Sequence, residues 1–173
     1  MRIFGLVGWS GSGKTQLLVA LVPRLRARGL TVSTMKHAHH PFDLDRPGKD
    51  SFRHREAGAS EVMIVGSQRW VLMRELREEP EPPIEDLICR MTPVDLLLIE
   101  GFKTHPHPKL EVHRASENKP LLCLQDPHIV AVASDVPLEG LGLPRLDLND
   151  PEAIADFILG WKARTETTSL QAR

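Results

Sequence analysis

Two cysteines in 173 residues, Cys89 and Cys123, are too few for a disulfide scaffold, and their separation excludes a Cys-x-x-Cys zinc or redox motif. An apolar run of the roughly 18 residues that cross a bilayer is also missing, so no membrane partner is expected. Net charge is equally scarce. The 22 Lys+Arg residues against 23 Asp+Glu leave −1, which argues against binding nucleic acid through overall charge. The amino-terminal segment has a single positive charge and then meets Gly-Ser-Gly-Lys instead of a cleavage site. What remains is ordinary globular composition, 41% hydrophobic and 26% charged. The expectation is a soluble, cytoplasmic chain with one domain over residues 1–164, a hairpin excursion at about 61–77 and a frayed tail at 165–173.

Periodicity gives the layout. Ile3 to Val7 and Leu30 to Met35 read as strands, with a helix from Lys14 to Arg28 between them and a bend expected at Pro23. Ser51 to Ala57 suits a short helix. Val62 to Val65 and Trp70 to Leu76 suit the arms of a hairpin turning at Gly66-Ser67-Gln68-Arg69. An acidic, proline-stiffened linker, Glu78 to Pro83, precedes a helix from Ile84 to Met91. Leu96 to Ile99 is a continuous apolar run, as in a strand buried on both faces. Leu121 to Leu124 and Ile129 to Ala133 read as further strands. A last helix starts at Asn149-Asp150-Pro151-Glu152. Strands alternating with helices imply an α/β fold with a mainly parallel sheet.

The strongest motif is Gly8-Trp9-Ser10-Gly11-Ser12-Gly13-Lys14-Thr15, which fits G-x-x-x-x-G-K-[ST] between a strand and a helix. Glycines let backbone N–H groups wrap a phosphate, and the helix N-terminus adds its open donors. Lys14 would reach the β- and γ-phosphates, and the Thr15 hydroxyl would ligate Mg2+. A second acid should meet the metal at the carboxyl end of a neighbouring strand. Asp95 and Glu100 flank the Leu96 to Ile99 run and, at about 3.3 Å per residue, lie roughly 16 Å apart. Glu100 is at the correct end and Asp95 at the other. Gly101 follows as a switch-type glycine. The loop after Lys36 carries His37, His39, His40 and Asp45, and three readings stay open for its histidines: a transition metal, a phosphate or substrate, or no specific role.

These residues resemble the molybdopterin-guanine dinucleotide biosynthesis protein B (MobB) family. The likeness runs through the P-loop, Lys36-His37, His39 to Asp45, Pro47 to Ser51, His54 to Ala59 and Gln68-Arg69-Trp70. It continues through Leu98-Ile99-Glu100-Gly101-Phe102-Lys103, Pro108 to Val112 and Ala131 to Asp135, with Ala38 as a departure. The resemblance implies a SIMIBI-type P-loop NTPase that is dimeric, binds GTP with Mg2+ and hydrolyses it weakly. It also implies an adapter role beside the molybdenum cofactor guanylyltransferase as GMP is joined to molybdopterin. Gly11, Ser12, Gly13, Lys14, Thr15, Gln16, Gly101 and Asp135 would then contact nucleotide, Thr15 and Glu100 would hold the metal, and Asp45 and Glu100 would serve hydrolysis. A guanine-reading Asn-Lys-x-Asp is absent, since Asn118-Lys119-Pro120-Leu121 lacks the acid. Asp135 either substitutes, accepting from guanine N1 and N2, or starts a turn before Pro137. Two alternatives are a small-molecule kinase, with Arg53, Arg55 and Arg69 as lid candidates, and a GTP-dependent metal chaperone using His37, His39 and His40.

Overall fold

The computed structural model describes residues 1–38 and 42–161, so expectations resting on His39, His40 and the tail 165–173 lie outside the described residues. The chain divides into two compact units, one formed by Met1–His37 with the chain from Pro93 onward, the other by Ala38–Thr92. In chain order the elements are β1 (Arg2–Val7), α1 (Lys14–Ala27), β2 (Val32–Lys36), α2 (Asp50–Glu56), β3 (Glu61–Val65) and β4 (Trp70–Arg74). They continue with α3 (Ile84–Cys89), β5 (Leu96–Glu100), β6 (Lys109–His113), β7 (Ile129–Ser134), β8 (Arg145–Asp147) and α4 (Pro151–Gly160).

The first unit is built on a six-stranded parallel sheet ordered β2-β5-β1-β6-β7-β8. The chain leaves β1 for one side of the sheet and later returns to fill the other. The carboxyl end of β1 is therefore a topological switch point, where α/β sheets bind ligands. Every residue of β5 is buried, as its unbroken apolar run requires. Leu96 and Leu98 join a core with Phe4 and Leu6 of β1, Leu17, Leu21 and Leu25 of α1, and Ile154 and Ile158 of α4. Leu97 and Ile99, on the opposite face, are buried too. The four-residue spacing of Leu17, Leu21 and Leu25 gives α1 its apolar stripe, and the helix runs unbroken through Pro23.

Arg24 of α1 and Arg28, which caps its carboxyl end, also meet Glu152 and Asp156 of α4. Exposed pairs of this kind contribute about 0–1 kcal/mol each, against about 1.5–3 kcal/mol for a fully buried leucine. The apolar stripe holds the two helices together. Asp150 caps α4 by accepting from the Ala153 N–H at 3.0 Å. At the other end of α4, the Arg2 guanidinium donates to the carbonyls of Ile158, Leu159 and Trp161.

One expected strand is corrected. Leu121 to Leu124 does not form a strand; Leu122–Leu124 is a single 3-10 turn. The Glu111 side chain, fully buried in β6, accepts from the backbone N–H groups of Leu122 and Cys123, both at 2.8 Å. Those donors are thereby withdrawn from any sheet ladder. Burial, aided by this carboxylate, pushes the Cys123 thiol up to about 11. Lys109 of β6 is equally buried. Its ammonium donates to the carbonyls of Lys103 (2.6 Å) and His105 (2.8 Å) and pairs with Asp126 (2.6 Å). Beside it, burial lowers His107 from 6.5 to about 4, with the Lys109 charge adding to the effect. The neutral imidazole therefore contributes stability that is complete above about pH 6.5 and is lost as pH falls toward 4.

In the second unit β3 and β4 form the expected antiparallel hairpin, with Val65 opposite Trp70 and Met63 opposite Leu72. This unit takes in more of the chain than the hairpin alone. Helix α2 packs against β3, and Val62, on the hairpin's other face, is buried. Arg55 of α2 organises the loop before it. The guanidinium grips Asp45 at 2.7 and 3.1 Å while also holding Asp43 and Glu75, each at 2.9 Å. Hydrogen bonds to these carboxylates, Glu75 and then Asp45 foremost, raise Arg55 above its ordinary range.

Candidate functional site

The loop between β1 and α1 takes the shape its glycines permit. Gly8, Gly11 and Gly13 have φ of 152°, 85° and 94°, a region that side chains rarely enter. A Cβ on Gly8 would strike the Val112 carbonyl oxygen and lie 2.7 Å from Ser12 Oγ, so glycine is required there by space as well as torsion. Gly13, the residue before α1, makes no side-chain cap, which leaves the helix N-terminus for an outside acceptor. Ser12 Oγ is buried and has no hydrogen-bond partner among the described residues. A buried hydroxyl in that state is an unfilled polar contact, and it fits an anion cradled by the loop.

Lys14 turns back on the loop, where its ammonium donates to the carbonyls of Gly8 (3.1 Å) and Trp9 (2.7 Å). Burial lowers its pKa, Glu100 opposes that, and the nearby charges of Lys103 and Lys36 lower it further. Three ammonium groups around one loop create a site short of negative charge. Thr15 Oγ1 donates to Glu100 Oε1 at 2.8 Å, and Lys36 Nζ lies 3.2 Å from the same oxygen. The parallel register explains the second contact, because Lys36 of β2 stands beside Glu100 of β5. A cavity of about 450 Å3 opens here, lined by Ser10, Gly11, Gly13, Lys14, Thr15, Gln16, Lys36 and Glu100. A hydroxyl and a carboxylate at 2.8 Å, both oxygen donors, match what Mg2+ prefers.

Asp95 sits at the other end of β5. It accepts from the Thr31 backbone N–H at 2.7 Å and hydroxyl at 2.6 Å, and these bonds, the hydroxyl foremost, hold its carboxyl below the usual range. Its work is to fasten the start of β5 to that of β2. Gly101 (φ 95°) follows Glu100, and its missing side chain lets His37 Cβ come within 3.0 Å of where a Cβ would lie.

Asp135, just beyond β7, accepts from the Ala115 N–H at 3.0 Å and faces Arg114 at 3.6 Å. With Ser134, Leu138, Arg145, Asp147 and Asn149 it lines a separate cavity of about 410 Å3 at the carboxyl ends of β7 and β8. Asp45 belongs to the second unit, with both carboxylate oxygens on Arg55. Sequence reasoning passed over Trp9, Lys36, Lys103 and Arg114. Only Lys36 had a signal, as the last residue of a strand pointing at the loop.

Residues 3–135 match the family model for molybdopterin guanine dinucleotide synthesis protein B. The chain belongs to the MobB family. It is 43% identical over 162 residues to the molybdopterin-guanine dinucleotide biosynthesis adapter protein of Escherichia coli, covering 92% of each chain. Identity to the Haemophilus influenzae protein of the same name is 44%, over 92% of this chain and 88% of that one. Among solved structures, Bacillus subtilis MobB superposes with a TM-score of 0.72 at 27% identity, over 92% of this chain and 96% of that one. Both the parallel sheet and its family are therefore as the sequence suggested. Among the described residues, no helix is long and apolar enough to cross a membrane.

Proposed function

We propose that this chain is an adapter in molybdopterin guanine dinucleotide formation and that it binds GTP with Mg2+ at the β1–α1 loop, hydrolysing it weakly. The observation that carries the nucleotide reading is the Thr15 to Glu100 contact beside a loop of left-handed glycines and an uncapped helix. Gly11, Ser12, Gly13, Lys14, Thr15 and Gln16 would hold the phosphates, with Gly101 close by. Thr15 and Glu100 would hold the metal, which neutralises phosphate charge when bound. Asp135 and the cavity at β7 and β8 would take the base. The adapter role follows the names of the relatives, and its implied partners are the cofactor guanylyltransferase and molybdopterin. Side-by-side titration with GTP and ATP tests the nucleotide reading.

Asp45, the second acid expected to serve hydrolysis, would have to release Arg55 before meeting water or metal; as it stands, its carboxylate shapes the loop. The same ion pairs occupy one of the three arginines that a kinase lid would draw upon.

The homodimer is proposed on the hairpin. Residues directly opposite each other share a face, so Met63, Leu72, Val65 and Trp70 form one apolar strip. That strip is exposed, Val65 at 72% and Trp70 at 66%, while on the other face Val62 is buried and Val71 and Met73 are half-buried. A second copy of the strip would bury it symmetrically. Light scattering at micromolar concentration should give twice 19.4 kDa, and Trp70→Glu should return it to the monomer mass. A native chain at the monomer mass ends the idea.

A further inference from the structure

The turn after β5 aims a lysine at the phosphate loop. Gly101 and Phe102 both have positive φ, 95° and 48°, which is strained for phenylalanine. This reversal brings Lys103 back over the Trp9 ring, with its ammonium 4.7 Å from the ring centroid. The ring itself is fixed, since Trp9 Nε1 donates to the Pro120 carbonyl at 2.8 Å. Beneath the turn, the buried Lys109 ammonium grips the Lys103 carbonyl and is anchored in turn on Asp126. The Lys103 backbone is therefore pinned while its ammonium rests on a ring. Among the described residues it has no carboxylate partner, although Lys14 lies near enough to feel its charge.

A charged-group hydrogen bond to phosphate is stronger than a cation over a half-buried ring. Lys14 would answer the phosphates inside the loop, and Lys103, on the turn that follows Glu100 and already stacked on the loop's Trp9, would reach the outermost phosphate. We propose that Lys103 is the residue that distinguishes a nucleoside triphosphate from a diphosphate, leaving the Trp9 ring for the terminal phosphate. The Trp9 stack is its resting position and Lys109 the fixed point about which it acts. This rests on the reading of the loop as a nucleotide site.

The test compares GDP with a non-hydrolysable GTP analogue, both with Mg2+, by calorimetry on the full chain. Lys103→Ala should cut the preference for triphosphate about tenfold while diphosphate affinity stays within about twofold, and Lys103→Arg should restore part of the preference. A second readout is Trp9 fluorescence in a chain carrying Trp70→Phe and Trp161→Phe. The analogue should change the emission, GDP should change it less, and Lys103→Ala should abolish the difference. Equal loss for both nucleotides would assign Lys103 a merely structural role and overturn the proposal, as would unchanged triphosphate affinity. Should the native chain bind neither nucleotide, the nucleotide reading falls and takes this one with it. If the native chain binds both and Lys103→Ala behaves like it, this inference alone is wrong.

Discussion

Replacing Lys14 with Ala is expected to weaken triphosphate binding at least tenfold, about 1.4 kcal/mol. The ammonium is half-buried, its pKa is lowered by that burial, and it shares its surroundings with Lys36 and Lys103. It donates to the Gly8 and Trp9 carbonyls, and a phosphate would offer it charge as well as acceptors. The same substitution removes those two loop contacts, so a thermal melt should accompany the binding measurement. A chain that melts normally yet keeps its affinity for GTP by calorimetry would take Lys14 out of the site.

Glu100→Gln should erase the effect of Mg2+ on nucleotide binding, while Asp95→Asn should leave it intact. Glutamine keeps an acceptor for Thr15 Oγ1 at nearly the same size but removes the charge that a divalent ion and Lys36 both require. Asp95 is occupied by Thr31 at the far end of the same strand, and its loss should appear only as reduced stability. Affinities measured with Mg2+ and with EDTA separate the cases. The native chain and Asp95→Asn should show a gap between the two conditions, and Glu100→Gln should show none. Equal losses in both variants would mean that β5 has been assigned the wrong polarity relative to the site.

The parts legible in the sequence were those written in local terms. The glycine spacing, the apolar run of β5 with an acid at each end, and the two apolar runs around the Gly66 to Arg69 turn are patterns of a few residues, and each appears where its pattern placed it. Strand β6 was missed because its Lys109 and Glu111 read as surface residues. Both are fully buried, one satisfied by two carbonyls and Asp126, the other by two backbone N–H groups, and neither Asp126 nor those N–H groups are close in sequence. Strand β8 is three residues long, too short for any periodicity to register. Leu121 to Leu124 had the apolar character of a strand, but Glu111 takes its backbone donors. Asp45 looked like a free acid because nothing local announces Arg55 ten residues later. Lys103 needed a left-handed turn, which cannot be counted out along the chain.

Calorimetric titration of the full chain with GTP and with ATP, each in Mg2+, tests the central claim most directly. The account predicts saturable binding near one nucleotide per chain, tighter for GTP than for ATP. Absence of binding by either nucleotide would contradict the phosphate site, and ATP binding as tightly as GTP would contradict the guanine assignment built on Asp135.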